Sequence, residues 1–453
     1  MSNKTVALIS SSLAVIFSTL MASGLNVALP EISSEFKTDA ILLSWMVTSF
    51  VLATAVFSLP FGRIADIYGL KKIFLYGMVL YTLIAVVAVF SSSAIMLIIC
   101  RAIQGLGSAM IAVNGLALVT AIYPASERGR ALGINIACVY AGSSIGPFLG
   151  GILTEHVGWR SIFAINIPVG LAVIILLLWR LKGEWRECEG EKFDYTGSII
   201  FGLALVVLMY GFSLLPSILG GILIPAGIFG LFAFLRWESG TKSPVLNIII
   251  FKNNRPFIFS NLAALIAYSS IFAIGFLLSL YLQDIKGLTP EMAGLVLVAQ
   301  PAMQAVLSPF TGRLSDKVEP RIVASSGMAF ILIGLLFSSL LSENTPIVQI
   351  VLILVAIGVG FALFSSPNAN AIMSSVVPRF FGVASAVMST MRSVGQMFSM
   401  GITMIIIAVI MGRVPISHET YPALLTSTKI AFSAFAALCF AGIFASLSRG
   451  KVR

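Results

Sequence analysis

The feature that most constrains this chain is a series of apolar runs, each about 18–25 residues long, separated by short polar breaks. An α-helix of that length crosses the hydrocarbon of a bilayer and satisfies its own backbone hydrogen bonds, which lipid cannot do. Fourteen such runs can be placed, near 6–29, 41–61, 73–91, 94–122, 130–153, 160–180, 195–214, 216–236, 256–282, 292–312, 322–341, 346–372, 382–410 and 425–448. Only Leu215-Pro216 separates the seventh from the eighth, so one re-entrant pair is an alternative there. Charged residues make up 10% of the 453, and mean hydropathy is +1.03. A soluble fold of this size has too little interior for that much apolar surface. The expected fold class is an all-α membrane protein of fourteen transmembrane helices.

The net charge of +10 could suggest nucleic acid, but no soluble stretch is long enough to bind it. The basic residues instead follow the loops. With the N-terminus inside, the outer loops hold only Lys37, Arg160, Lys286, Arg413 and Lys429, and nearly all other Lys and Arg fall inside. This asymmetry predicts cytoplasmic termini in a plasma or inner membrane. The run after Met1–Lys4 is too long for a cleaved signal peptide and is expected to remain as the first span. Cys100, Cys138, Cys188 and Cys439 share no metal-ligand spacing and read as free thiols. No metal or cofactor is expected.

An internal repeat divides the chain. Pro60-Phe61-Gly62-Arg63-x-x-Asp66 recurs as Pro309-Phe310-Thr311-Gly312-Arg313-x-x-Asp316, each copy closing the second span of a six-span set. We expect two six-helix halves, 1–183 and 256–453, with two helices inserted at 184–255. The loop Gly62–Lys72 has glycines suited to a tight turn at Gly62 and Gly69, an acid at Asp66, and Lys71 at the membrane surface. With Gly312, Arg313 and Asp316 it reads as a duplicated latch whose charge pairs change between states. A second feature is Gly142–Gly151. Gly142, Gly146 and Gly150 stack on one helical face with no side chains, so a second backbone can approach closely. Pro147 removes a donor and should bend that helix, and Gly151 extends the run. The expected partner is the span at 292–312. A bulky residue at Gly146 is expected to abolish transport and leave the protein folded.

Charges inside spans are costly and therefore informative. Arg101 lies in the fourth span and Arg392 about ten residues into the thirteenth. No carboxylate lies at mid-depth; Glu31, Asp66, Glu155, Asp284 and Asp316 come nearest. His156 and His418 fall at the outer face. Asn26, Gln104, Asn114 and several other buried amides either join helices or line a neutral polar cavity. Substrate binding is expected nearest Asn26, Arg101 and Asn114.

Together these stretches resemble the 14-helix drug/proton antiporters of the major facilitator superfamily over essentially the whole chain. Gly62–Lys72 resembles the superfamily's loop signature, Arg101-x-x-Gln104-Gly105-x-Gly107 its fourth-helix arginine motif, and Gly142–Gly151 the fifth-helix antiporter motif. Leu25–Pro30, Trp159-Arg160-x-x-Phe163-x-x-Asn166-x-Pro168 and Arg392-x-x-Gly395 resemble further signatures of that branch. The resemblance implies alternating access, export of organic molecules against proton entry, and a fifth helix at the interface between halves. Such antiporters usually carry an Asp five residues before the Asn of the first helix; here that position is Met21, which removes the obvious proton and cation site.

The expected function is secondary export of amphipathic drugs or similar compounds, coupled to protons, with neutral or anionic substrates preferred. Uptake of a small metabolite by symport or facilitation is the alternative. The expected partners are a small organic substrate, protons and lipid, with no nucleic acid, and the expected unit is a monomer. No nucleotide-binding loop or nucleophile–base pair points to an enzyme. Asp66, Glu155 and Asp284 remain as candidates for coupling.

Overall fold

The computed structural model describes residues 2–450 apart from 187, 189, 242, 247, 316 and 378–380. Fourteen helices have the length and apolarity to span a membrane. We number them α1 (Asn3–Phe36), α2 (Ala40–Tyr68), α3 (Leu70–Val89), α4 (Ala94–Ile122), α5 (Ala131–Val157), α6 (Ser161–Arg180) and α7 (Tyr195–Leu214). There follow α8 (Ile218–Glu238), α9 (Arg255–Ile285), α10 (Pro290–Ser315), α11 (Pro320–Ser338), α12 (Ile347–Ser374), α13 (Val383–Ile410) and α14 (His418–Ser448). Among the described residues there is no strand, only an isolated bridge between Asp39 and Pro415.

The expected spans form, and most ends agree closely. Three run seven residues further than their apolar runs, α14 at its start, His418, and α1 and α2 at their ends. Helix α1 continues through Pro30 to Phe36, and α2 continues past Gly62 to Tyr68. Both extensions are amphipathic turns that the bundle buries on one side, so tertiary packing outweighs the break in hydropathy. Helices α7 and α8 are separate and of full length, 20 and 21 residues, which rules out the re-entrant alternative. Helix α9 ends in a π-helical turn, Tyr281–Ile285.

Packing follows the repeat. In the first six spans α1 lies against α5 and α6, α4 against α2 and α3, and α3 against α6. In the last six, α9 lies against α13 and α14, α12 against α10 and α11, and α11 against α14, the same pairs eight spans later. A glycine pair marks the correspondence. A first side-chain carbon on Gly77 would sit 3.0 Å from the Gly107 carbonyl oxygen, and one on Gly327 would sit 2.5 Å from that of Gly360. Only a hydrogen fits where α3 meets α4 and α11 meets α12. Helix α7 docks at the edge where α2 and α13 meet, and α8 packs on α7.

With an even number of spans both chain ends lie on one side, which we call the terminal face. On the opposite face Trp159 and Arg160 clamp the first six helices. The Trp159 ring N–H donates to Glu35 at 2.7 Å. Arg160 forks onto the same carboxylate at 2.9 and 2.7 Å and reaches the Ser91 carbonyl at 3.0 Å. Hydrogen bonding to Glu35 holds the Arg160 guanidinium above the usual arginine range.

Candidate functional site

The seam between the first six and last six spans holds the features of interest. Its closure on the opposite face is built from backbone and a few polar groups. Gln283, in the π-helical turn of α9, donates to the Val27 carbonyl of α1 at 2.8 Å. Glu155 of α5 accepts from the Glu291 amide of α10 at 3.0 Å, and His156 pairs with the Glu291 carboxylate at 3.1 Å. Ligand atoms of these three residues lie within 4.8 Å of one another, a spacing their mutual bonds already use. His156, expected at the outer face, is thus part of the clasp there. Gln283 was not singled out from the sequence; an amide beside an acid at a span end was the available signal.

The glycine run divides its contacts between two partners. Gly142, Gly146 and Gly150 face α1 of the same six-helix set, not the span at 292–312. A carbon added at Gly146 would lie 2.7 Å from the Leu20 carbonyl oxygen, and one at Gly150 would lie 2.7 Å from the Gly24 Cα. The adjacent face, turned about 100° around the helix, carries Pro147 and Gly151. A carbon at Gly151 would lie 2.5 Å from the Pro290 carbonyl oxygen, and Gly294 of α10 abuts the Pro147 carbonyl. The expected partner is correct for Gly151 and Pro147 and incorrect for the smooth face. Side-chain-free positions spaced by four residues identify a close approach but not which neighbour makes it.

The first latch copy docks where the first half meets the inserted segment. Most of Gly62–Lys72 is helix, not loop, and Gly62 packs near Val113. Gly69, at φ +121°, is the only break between α2 and α3, and a side chain there would meet the Glu184 carboxylate. The Lys71 amide donates to Glu184 at 2.8 Å and its ammonium to the Leu181 carbonyl at 2.5 Å. Arg63 reaches the Cys188 sulfur at 3.1 Å and pairs with Glu191, while the Asp66 carbonyl accepts from the Cys188 amide at 3.0 Å. The partner is therefore the stretch after α6. In the second copy Gly312 and the exposed Arg313 lie in the last turns of α10, and Asp316 lies outside the described residues.

Arg101 is enclosed by one half. It is 1% exposed, donates to the Met46 carbonyl at 3.3 Å and to Gln104 at 3.2 Å, and lies 4.1 Å over the Phe50 ring. Met21 occupies the same cluster, its sulfur taking the Tyr81 hydroxyl at 3.2 Å and facing the Gln104 amide at 3.9 Å. A carboxylate there would replace two weak sulfur contacts by charge-assisted bonds near a guanidinium. Met21→Asp is therefore expected to yield folded protein that gains transport of a cationic dye such as ethidium, measured in membrane vesicles against the parent. Unchanged movement of the cation would count against this.

The amides mostly tie helices together. Asn135 donates to Ser11, Asn368 to the Ser260 carbonyl and Asn370 to Ser315, at 2.8, 3.1 and 3.0 Å. Asn114 donates to Met110 of its own helix at 2.8 Å, and its buried oxygen has no donor. Asn26 faces Gly275 of α9 across the seam, with its buried oxygen likewise unpaired. Tyr140 of α5 and Ser365 of α12 share a hydrogen bond of 2.7 Å across the seam, deeper than the clasp. Arg392 of α13 lies one turn before Gly395, which packs against Tyr268 of α9, and Tyr268 in turn meets Phe361, one turn before Ser365 on α12. The structure thus brings Asn26 and Arg392 to the seam and leaves Arg101, Gln104 and Asn114 inside one half.

A repeated six-helix packing with its polar closure on one face is the geometry of a carrier. The family model of the Major Facilitator Superfamily matches residues 11–400 and 260–450. This chain belongs to the Major Facilitator Superfamily. It is 31% identical over 404 residues to the riboflavin transporter RibZ of Clostridioides difficile, covering 88% of this chain and 87% of that protein. It is 30% identical to the multidrug resistance protein Stp of Mycobacterium tuberculosis, covering 86% and 73%. Identity to the cephamycin export protein CmcT of Amycolatopsis lactamdurans is also 30%, covering 88% and 84%. Among solved structures, a bacterial homolog of the human lysosomal transporter Spinster, inward-facing and unoccupied, superposes with TM-score 0.69. The two are 16% identical, with 99% and 98% of the chains covered, a likeness of fold. The protein is a multi-pass membrane transporter.

Proposed function

We propose that the protein is a secondary exporter of amphipathic organic compounds, driven by the proton gradient and working as a monomer by alternating access. In this reading 1–183 and 256–453 are the moving halves, and 184–255 is an inserted pair of helices. The terminal face is cytoplasmic, in keeping with the loop charges. The observation that carries the reading is the one-sided clasp. Gln283, Glu155, His156 and Glu291 bind the halves on the opposite face. The polar contacts of Arg63 and Lys71 at the terminal face run to Leu181 and to the start of the inserted segment, and none of them reaches 256–453. Releasing one set of contacts while the other forms is what alternating access requires. Export is supported by the names of two relatives, the resistance protein and the cephamycin exporter. The test is dye loss from loaded cells and dye entry into everted vesicles, with and without an imposed pH gradient. We expect gradient-dependent movement out of the cytoplasm. Movement that ignores the gradient would remove proton coupling.

Uptake of a small metabolite is a second reading, favoured by the likeness to a riboflavin transporter. Accumulation of riboflavin in intact cells carrying the protein would establish it over export.

A further inference from the structure

Two arginines, Arg101 and Arg392, lie well away from the ends of their spans, and the fold treats them differently. Around Arg101 the space is filled: a backbone carbonyl, Gln104 and the face of Phe50 surround a side chain that is 1% exposed. Arg392 is half-buried, and its Nε is buried with no acceptor. Its neighbours are hydroxyls. Tyr268 packs on α13 one turn beyond Arg392, where a carbon on Gly395 would lie 2.9 Å from the Tyr268 Cβ, and Phe361 holds its ring edge-on with centroids 5.3 Å apart. Tyr140, from the other half, is bonded at 2.7 Å to Ser365, one turn along α12 from Phe361. Among the described residues no carboxylate comes within ion-pair distance of Arg392.

A guanidinium offers five N–H donors and stays charged at any working pH. Leaving it in a low-dielectric seam without a counter-charge is expensive. Arg101 offsets that cost with internal partners, whereas Arg392 has an unused donor and a cluster of phenolic hydroxyls that can also donate. Such a group of donors fits an incoming anion. We propose that Arg392, with the Tyr268 and Tyr140 hydroxyls, forms an anion-binding subsite in the seam, and that the exported compound carries an acidic group, a carboxylate or phosphate. Tyr140 comes from the first half and the other two residues from the second. An anion held here draws on both halves and competes for the hydroxyl that otherwise bonds Ser365, so binding reaches directly into the seam.

This inference rests on the exporter reading, and the experiment separates the two. The full chain is reconstituted in proteoliposomes with matched dyes, coumarin-3-carboxylates and their carboxamides, which differ in charge and little else. The parent protein should move the carboxylates faster. R392Q should lose roughly tenfold on the carboxylates, the worth of a charge-assisted hydrogen bond, and stay within about twofold on the amides. Retained amide transport shows that the variant is folded. R392K should recover part of the loss, because it restores the charge but not the planar fork. Equal effects of R392Q on both dyes, no effect on either, or an amide preference in the parent would overturn the subsite. Failure of the parent to move either dye would overturn the exporter reading itself, and the subsite with it.

Discussion

Gly294→Leu is expected to yield folded protein that does not transport, whereas Gly146→Leu is expected to yield little folded protein. Both positions are glycines in tight helix contacts, and the difference lies in what they contact. Gly294 abuts the Pro147 carbonyl, and Gly151 on the same seam lies against Pro290 and Glu291. A leucine at 294 meets backbone, which cannot rotate away, and must push α10 from α5. Each half keeps its own packing; only the closed seam on the opposite face is lost. Overpacking of this kind costs about 1–3 kcal/mol, which shifts a two-state equilibrium by roughly 5- to 150-fold. The carrier would be held open on that face. Cysteine labelling at Val27, beneath the Gln283 bond, should then rise while dye export falls to background. Gly146 instead meets Ser23 and the Leu20 carbonyl of α1. A leucine there splits the first half internally. Its melting temperature and yield should fall well below those of Gly294→Leu. If Gly146→Leu were stable and inactive, the smooth face would be a moving contact after all.

Asp284→Asn is expected to uncouple transport from the pH gradient and leave passive exchange of substrate intact. Asp284 lies in the π-helical turn of α9, and its Oδ2 is buried with no donor. Such turns recur at functional sites because one residue is displaced from the regular ladder. Tyr421 of α14 is close by, and Lys286 is turned away to the Glu343 carbonyl at 2.6 Å. A proton taken up here breaks no existing hydrogen bond of that oxygen. The preceding residue, Gln283, makes the bond to Val27 that helps close the seam. A change of charge at Asp284 therefore acts beside the clasp. Glu155 is a weaker candidate, since its carboxylate is occupied by the Glu291 amide. The measurement is dye movement with an imposed gradient against substrate-for-substrate exchange without one. If the Asn variant retains full gradient-driven movement, proton coupling lies elsewhere.

Much of the site could be placed from sequence, but its pairings could not. Arg101 and Arg392 stand out in the same way, each a lone charge in an apolar run, yet one is sealed against Phe50 and Gln104 and the other faces the seam. Hydropathy reports depth in the membrane and says nothing of azimuth around the helix. The latch motif was legible as a repeat, whereas its partner after α6 was not, because that stretch has no repeat or periodicity to read. Glu238 is buried at the end of α8 and accepts from the Leu246 amide at 3.0 Å, although nothing in the sequence marks it off from other acids at span ends.

What the chain determines on its own is the number of spans, their approximate ends and the duplication. Each follows from local chemistry: lipid demands a helix that satisfies its own backbone, and a repeated motif shows a repeated unit. The tertiary structure alone decided the division of the glycine run, with Gly142, Gly146 and Gly150 on α1 and Gly151 with Pro147 on α10. It also decided which arginine faces the seam and which face is clasped. These depend on how each helix is rotated against its neighbours, and that rotation is set by close packing among helices far apart in sequence, which no single run encodes.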